Sequence, residues 1–413
     1  MLLTVISDDL TGAADSGSSF TQRGKRLTIY VDGEGELIRR EDEIMTVNLS
    51  SRNIEGPKAR KRHFDLCRRL AGMPRSTVMK KIGTGFRGND AFELDGMLSA
   101  MPESLCFVVD HAPQLGTFTL YGHQYCEGEI LTKSLYANDP ILPPGDSYIP
   151  RVLSKNSAYS AGLVDIDAVK GGNLLERTRE EVDAGRRIIV FDAVTHQDTL
   201  RILRTLAPVF PHVFWTGSLG LGEGLADYLY GEIPKSPPPA AREIRCLCFC
   251  ASAYEMARRQ IEYSSRKGLQ VVRLEIDRLL DGETGCVETS IRKTIEKNRQ
   301  GNVILVPHVE KYSYQPGVSR AILESVQQCA LEICRQAVVD RLVVIGGETA
   351  QTILGALNIR RLDLGWQLEP GVAEGLICDG VLAGKEFALK GGSVGSEQAL
   401  EKMLCRFSEK EPT

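Results

Sequence analysis

LLTVISDDLTGAADSG, residues 2–17, runs from an apolar stretch into paired carboxylates and small residues. A strand that ends in polar residues and then opens a helix is typical of an α/β protein with a polar site at the strand end. Helix N-capping explains one aspartate at this position, because Asp is a preferred N-cap. It does not explain both Asp8 and Asp9, since capping leaves the second carboxylate charged near the helix entry. We therefore interpret both as candidate site residues.

Strand and helix patterns alternate along most of the chain, which predicts three-layer α/β domains with mostly parallel sheets. A chain of 413 residues is long enough for two such cores. The proline-rich segment 234–241 predicts a linker between a first domain, residues 1–233, and a second, residues 242–413. Segment 111–160 is rich in Gly, Pro and Tyr and has weak periodicity, so we expect either an insertion or a long ordered connection there, and such connections often border sites.

Hydrophobic periodicity predicts the positions of most strands and helices. The predicted strands are 2–6, 27–30, 44–48, 78–81, 106–110, 187–192, 212–216, 245–250, 270–274, 302–306, 341–345 and 387–390. The predicted helices are 13–23, 57–70, 91–101, 254–267, 288–299, 318–338, 351–357 and 396–404.

Composition narrows the class of function. With 50 basic and 54 acidic residues the net charge is −4, which argues against nucleic acid or an anionic membrane as partner. No apolar run reaches the length of a membrane span, so we expect a cytoplasmic protein that acts on small molecules. The 11 cysteines lack disulfide spacing. Cys246, Cys248 and Cys250 alternate along one strand face, which indicates buried thiols and not a metal site.

The second half contains three strand-to-helix steps built from small residues. Glycines there let a ligand approach the backbone, and free N–H groups at a helix start attract anions. Three such steps together predict a nucleotide-phosphate site, although neither a P-loop nor a G-x-G-x-x-G fingerprint is present. The residues concerned are Ser252, Gly346, Gly347, Glu348, Thr349, Gly391 and Gly392.

In the first half, KKIGTGFRGND (residues 80–90) repeats the strand, turn and helix pattern with positive charge on both sides of the turn. We expect Asn89 or Asp90 to cap the following helix, and Arg87 and the Gly88 backbone to face a bound carboxylate or phosphate. The alternative is a solvated basic turn. Arg52 offers a second cation at the same sheet edge.

Further polar residues close two other predicted strands of the first half. Asp110 and Asp192 each end a strand, and His111 follows Asp110 directly. His111 is a candidate acid or base, and a structural histidine is the alternative.

These segments coincide with the motifs of a known family. The chain resembles the four-carbon acid sugar kinases over essentially its whole length. The motif A-D-D-L-T-G-A-x-D is matched at 7–15 with Ser7 in place of Ala, and G-G-D-T-A is matched at 346–350 with Glu348 in place of Asp. K-K-x-D-S-T-x-R-G-N corresponds to 80–89 and G-S-x-G-L to 217–221, and looser matches lie at 112–117 and 192–200. The chain departs from the family at 83–85, at Thr117, at 250–251 and at 393–394, which leaves the identity of the acid open.

The resemblance implies a sugar-acid-binding domain, a nucleotide-binding domain and an active site in the cleft between them. It implies ATP-dependent phosphorylation, with Mg²⁺ on the phosphates, of a hydroxyl of threonate, erythronate or an oxo-tetronate. Asp8 or Asp9 would orient or deprotonate that hydroxyl. Arg52, Lys81, Arg87 and Gly88 would bind the acid, and the small residues of the second half would bind the nucleotide.

Two other classes of function stay open at this point. A sugar-acid lyase or isomerase would use Asp9 and a lysine as acid and base without any nucleotide. A binding protein that has diverged from catalysis would hold a sugar acid or nucleotide without turnover. The sequence is also compatible with a homo-oligomer.

Overall fold

The computed structural model describes residues 2–74, 76–86, 88–138, 143–231, 241–312 and 317–407. Its internal contacts divide the chain into two compact units, Met1–Ile233 (unit 1) and Pro234–Thr413 (unit 2). The predicted linker 234–241 lies outside the described residues except for Ala241, where a strand begins. The predicted anion-binding residue Arg87 also lies outside them.

Unit 1 alternates strands and helices. Its strands are β1 Leu3–Ser7, β2 Arg26–Tyr30, β3 Glu43–Asn48, β4 Thr77–Lys81, β5 Leu105–Val109, β6 Thr117–Leu120, β7 His123–Cys126, β8 Glu129–Ile130, β9 Ala161–Val164, β10 Ile188–Phe191 and β11 Val213–Gly217. Its helices are α1 Leu10–Thr21, α2 Gly56–Leu70, α3 Asp90–Ala100, α4 Ile149–Ser154, α5 Ile166–Gly171, α6 Leu174–Asp183, α7 His196–Leu206 and α8 Leu219–Tyr230.

The main sheet of unit 1 is parallel, in the order β2-β3-β1-β4-β11-β5-β10-β9. Ser7 at the end of β1 pairs in register with Asn48 and Lys81, and Lys81 pairs with Gly217. The carboxyl ends of β3, β1, β4 and β11 are therefore level at one edge. The strand order changes direction at β1, and ligands of open α/β sheets bind outside the carboxyl ends at such a point.

Segment 111–160 forms an ordered connection where it is described. It folds into the antiparallel sheet β6-β7-β8 followed by α4. Its strands are too short to give a clear period in the sequence, which accounts for their absence from the predicted strands.

Unit 2 repeats the α/β pattern. Its strands are β12 Ala241–Glu243, β13 Cys246–Cys250, β14 Gln270–Glu275, β15 Val303–His308, β16 Arg341–Ile345, β17 Arg361–Glu369, β18 Val372–Ile377, β19 Glu386–Lys390 and β20 Cys405–Phe407. Its helices are α9 Glu255–Ser265, α10 Ile276–Leu280, α11 Gly285–Asn298, α12 Val318–Gln336, α13 Gly347–Ala356 and α14 Ala399–Met403.

The unit 2 sheet has the order β14-β15-β13-β16-β19-β18-β17, in which β18 pairs antiparallel with both β19 and β17 and the other pairs are parallel. Ile345 pairs with both Cys250 and Lys390, so β13, β16 and β19 end level. A separate antiparallel pair joins β12 to β20.

Buried apolar side chains fill the interior of both units. Cys246, Cys248 and Cys250 lie in one buried apolar cluster of unit 2, as their alternation predicts. No helix in the described ranges has both the length and the apolar composition that a membrane span requires.

Candidate active site

The two aspartates after β1 have different structural roles. Asp9 is the N-cap of α1: its Oδ1 accepts the Gly12 amide at 2.9 Å, and its Oδ2 accepts the Thr11 hydroxyl at 3.0 Å. Asp8 is buried and makes no such cap. The prediction that one carboxylate caps the helix and the other stays charged beside it is confirmed.

Arg52 binds both carboxylates with a fork of hydrogen bonds. Its Nε and Nη2 donate to the two oxygens of Asp8 at 2.7 and 3.0 Å, and its Nη1 donates to Oδ2 of Asp9 at 2.7 Å. Burial opposes ionisation of Asp8, but Arg52 and the lysines at 80 and 81 outweigh it and hold the Asp8 pKa well below its usual range. The Asp9 side chain is 21% exposed, so Asp9 is the carboxylate of the pair that a ligand can reach.

Two lysines end β4 and take different partners. The Lys80 ammonium lies 2.7 Å from the Glu93 carboxylate of α3, and both side chains are fully buried. The Lys81 ammonium donates to the Ile82 carbonyl at 2.7 Å. A Cβ built on Gly12 would lie 3.1 Å from Lys81 Nζ and would overlap Asp9 Oδ1. Lys81 therefore places a positive charge beside Asp9, and Gly12 leaves the room for both.

The turn before α3 packs against Arg52. A Cβ on Gly83 would lie 3.0 Å from Arg52 Nη2, and one on Gly88 would lie 3.2 Å from Arg52 Cγ. Gly88 has φ +136°, which also favours glycine there. The predicted binding residue Gly88 thus lies against Arg52.

Asn89 occupies the N-cap position of α3, as predicted, but the capping hydrogen bond expected of its side chain is absent. Its Nδ2 instead donates to the carbonyls of Ser51 and Ile54, each at 2.8 Å, because that segment packs against the start of the helix. Asp90 is the first residue of α3 and is buried.

Asp110 and Asp192 bind main-chain amides. Asp110 accepts the Ser218 amide at 2.7 Å and the Gln124 side chain at 3.0 Å. Asp192 accepts the amides of residues 121, 122 and 166, and burial raises the pKa of Asp192 to about 6. His111 is buried with Nδ1 3.1 Å from the Thr199 hydroxyl, and burial lowers its pKa to about 4. His111 Nε2 is buried and has no hydrogen-bond partner among the described residues, so both interpretations of His111 stay predictions.

The predicted nucleotide-binding residues of unit 2 meet where β13, β16 and β19 end. A Cβ on Gly392 would overlap Ser252 Oγ. A Cβ on Gly346 would lie 2.9 Å from Thr349 Oγ1, and Gly346 has φ +108°. Gly347, Glu348 and Thr349 form the first turn of α13, and Gly346 before them provides no side-chain cap. The amides of a first helical turn have no intrahelical partner, so this corner suits an anion.

Two buried charged residues beside the candidate sites are not predicted from the sequence: Lys390 in unit 2 and Glu93 in unit 1. Lys390 ends β19 before Gly391, its ammonium donates to the Gly391 carbonyl at 2.6 Å, and burial lowers its pKa to about 8. A lysine that ends a buried strand before a glycine turn is a usable signal, because Lys80 and Lys81 precede Gly83 in the same way. Glu93 gives no such signal, since only folding brings it to Lys80.

The described residues contain no group of three or more His, Cys, Asp or Glu side chains that could hold a metal ion. Within those ranges, neither the residues at the end of β1 nor those at the start of α13 therefore form a set of protein ligands for a divalent cation.

Two family models match the chain. Residues 3–225 match a model described as "Sugar-binding N-terminal domain", and residues 247–400 match "Nucleotide-binding C-terminal domain". The chain belongs to the four-carbon acid sugar kinase family. Membership confirms the resemblance carried by the motifs, and the enzyme class of this family is a kinase of sugar acids.

Curated relatives of this kinase family match along nearly their whole length. A D-threonate kinase from Salmonella typhimurium is 24% identical and covers 98% of this chain and 100% of its own. A 3-oxo-tetronate kinase from Methylobacterium radiotolerans is 26% identical, with 90% and 91% covered. A D-erythronate kinase from Heliobacterium modesticaldum is 24% identical, with 96% and 95% covered.

Two solved structures share the fold of this family member. A protein from Salmonella typhimurium LT2 superposes with a TM-score of 0.80 at 21% identity, covering 97% of this chain and 98% of its own. Haemophilus influenzae protein HI1011 gives a TM-score of 0.74 at 21% identity with the same coverage.

Proposed function

We propose that the protein transfers the γ-phosphate of ATP to a hydroxyl of a four-carbon sugar acid. The observation that carries this proposal is the cluster at the end of β1, where Arg52 binds Asp8 and Asp9 and Lys81 lies beside Asp9. The cluster combines a reachable carboxylate with fixed positive charge, as transfer to the hydroxyl of an anion requires. The curated relatives named for threonate, erythronate and oxo-tetronate support this class of acceptor.

Phosphoryl transfer needs alignment and charge neutralisation more than covalent chemistry from the protein. In this proposal Asp9 accepts the hydrogen bond of the attacking hydroxyl and takes its proton as the new phosphorus–oxygen bond forms and the bond between the γ-phosphorus and the bridging oxygen breaks, which releases ADP. Asp8 stays ionised and fixes Arg52. Lys81, Gly88 and Arg87 bind the acid's carboxylate and its other hydroxyls.

In unit 2 the proposed ligand is the phosphate chain of ATP. The first turn of α13 offers amides to phosphate oxygens, and Gly346 and Gly392 leave space for close approach. Lys390 adds a buried ammonium beside Gly391. The described residues contain no carboxylate cage for Mg²⁺, so the nucleotide phosphates would hold it, and it would supply charge neutralisation there.

An ADP-release assay over the isomers of threonate, erythronate and oxo-tetronate tests the proposal. We expect ADP release only when ATP and one of these acids are both present. Conversion of an acid without nucleotide would identify the lyase or isomerase instead. Saturable binding of an acid with no ADP release would identify the binding protein.

A Gly346→Ala variant is expected to weaken nucleotide binding at least about tenfold, because its Cβ enters the corner at Thr349. Gly268→Ala is the matched control. Gly268 has φ +104°, so the substitution causes the same kind of backbone strain as Gly346→Ala, but a Cβ built on Gly268 meets no described atom within 4 Å. Titration of both variants with ATP in a calorimeter gives the comparison. Equal nucleotide affinity in the two variants would contradict the assignment of this corner.

A further inference from the structure

Asp90 is a buried carboxyl group to which the mechanism above gives no role. It lies at the first position of α3, and neither of its oxygens has a hydrogen-bond partner among the described residues. The two aspartates after β1 differ in this respect: Asp9 accepts an amide and a hydroxyl, and Asp8 accepts two bonds from Arg52. A buried carboxylate without donors is costly, so its protonation state needs an explanation.

The charges that face Asp90 come from every neighbouring element. Asp8 follows β1, Arg52 follows β3, Lys80 ends β4, and Glu93 lies one turn along α3. His63 of α2 reaches the same group, with Nε2 3.7 Å from Glu93 Oε2. Among the described residues, the cations at 52, 80 and 81 balance the carboxylates at 8, 9 and 93, so an ionised Asp90 would add a negative charge that no described cation offsets.

Burial raises the pKa of Asp90 to about 8, and Glu93 and Asp8 add to the effect while Lys80 and Arg52 oppose it. The dipole of α3 favours a negative charge at its first position, but desolvation of an unpaired buried carboxylate is the larger effect. Burial therefore favours the protonated form of Asp90.

The first turn of α3 also holds the segment that carries Arg52. Asn89 donates to the carbonyls of Ser51 and Ile54, and the Ser51 hydroxyl donates to Glu93 Oε1 at 2.5 Å. Asp90 lies between these two attachments on the same turn. A new charge at Asp90 acts directly on the segment that positions Arg52.

We propose that Asp90 is a positioning residue of the acceptor site, and that it must be protonated for Arg52 to hold Asp8 and Asp9 and for an anionic acceptor to bind. This inference rests on the proposed function and adds a residue to it. The proton stays on Asp90 throughout turnover, and no bond to it is made or broken. Ionisation of Asp90 adds a negative charge that repels both the acid and Asp8.

The first test is the pH dependence of kcat/KM. For the wild-type protein we expect ionisation of Asp90 to lower kcat/KM about tenfold between pH 7 and pH 9. Asp90→Asn, neutral at every pH, should lose about tenfold less kcat/KM over this range than the wild type, and the loss that it retains reports Lys390, whose pKa burial lowers to about 8. Asp95→Asn is the matched control: Asp95 is a buried carboxylate of the same helix that pairs with Arg60, so this variant should keep the alkaline loss.

The second test needs no turnover. A pKa raised on folding means that the native state binds more protons than the unfolded state between about pH 4 and pH 8. The Tm of the wild type relative to Asp90→Asn should therefore fall across that range and level off above pH 8. A flat Tm difference would show that Asp90 is not protonated and would overturn the inference.

The two tests separate this inference from the proposed function. Unchanged alkaline loss in Asp90→Asn overturns the role of Asp90 and leaves the kinase function intact. Failure of every acid to support ADP release overturns the function, and the acceptor-site role with it, while the Tm series still reports the proton.

Discussion

An Asp9→Asn variant is expected to lose about 10²- to 10⁴-fold in kcat, the range by which a positioned general base accelerates a reaction. The fold should persist, because Asn is as good an N-cap as Asp and its side-chain oxygen can still accept the Gly12 amide. Asp8 still binds Arg52 through two hydrogen bonds. The loss should therefore appear in kcat in the ADP-release assay, with an unchanged circular dichroism spectrum.

Asp165→Asn is the matched control for this experiment. Asp165 caps α5 in the same manner, accepting the Ala168 amide at 3.0 Å, but α5 follows the edge strand β9. This variant should keep wild-type kcat. Wild-type kcat in Asp9→Asn would remove Asp9 from the reaction, and equal losses in both variants would trace the effect to helix capping.

A Lys80→Met variant is expected to lower the free energy of unfolding of unit 1 by about 3–5 kcal/mol, the typical cost of breaking a buried ion pair. It leaves the Glu93 carboxylate buried without its cation and removes a positive neighbour of Asp8. The measurement is urea denaturation followed by fluorescence in a Trp366→Phe background. The chain has 2 tryptophans, so the buried Trp215 of β11 then reports unit 1 alone.

Two further variants make this test specific. Lys58→Met removes a lysine from an ion pair of similar length, 2.9 Å to Glu55, but both side chains are mostly exposed, so the urea midpoint should stay unchanged. The double variant Lys80→Met with Glu93→Leu removes both buried charges and should recover most of the lost stability. If the double variant is as unstable as Lys80→Met, packing and not charge is the source of the loss.

The parallel strands can be predicted because strands buried on both faces are nearly continuous apolar runs bounded by turn residues. The strand predicted at 44–48 is Glu43–Asn48, and the helix predicted at 57–70 is Gly56–Leu70. The predicted start of α13 is residue 351 and its observed start is Gly347, because only Gly346 takes a positive φ and the second glycine is already helical. The antiparallel pair β17–β18 escapes prediction, since its register shifts interrupt the alternation.

Some residues of the candidate site can be predicted from the sequence and others cannot. Asp8, Asp9 and Arg52 stand at strand ends, and the ends of parallel strands meet at one edge, so local patterns are enough to predict their proximity. Lys80, Glu93 and Asp90 depend on how α3 packs beside β4 and the segment after β3. The position of Lys80 at the end of a buried strand has a local signal, but its pairing with Glu93 and the burial of Asp90 are properties of the tertiary structure.

The pairing of β12 with β20 bears on how unit 2 can be rearranged. Ala241 lies opposite Phe407, so the first and last described residues of this unit are neighbours. Ends that close together can be joined by a short bridge, which makes the unit a good subject for circular permutation. Gly282, with no described atom within 4 Å of its Cβ position, is a suitable place to open the new termini.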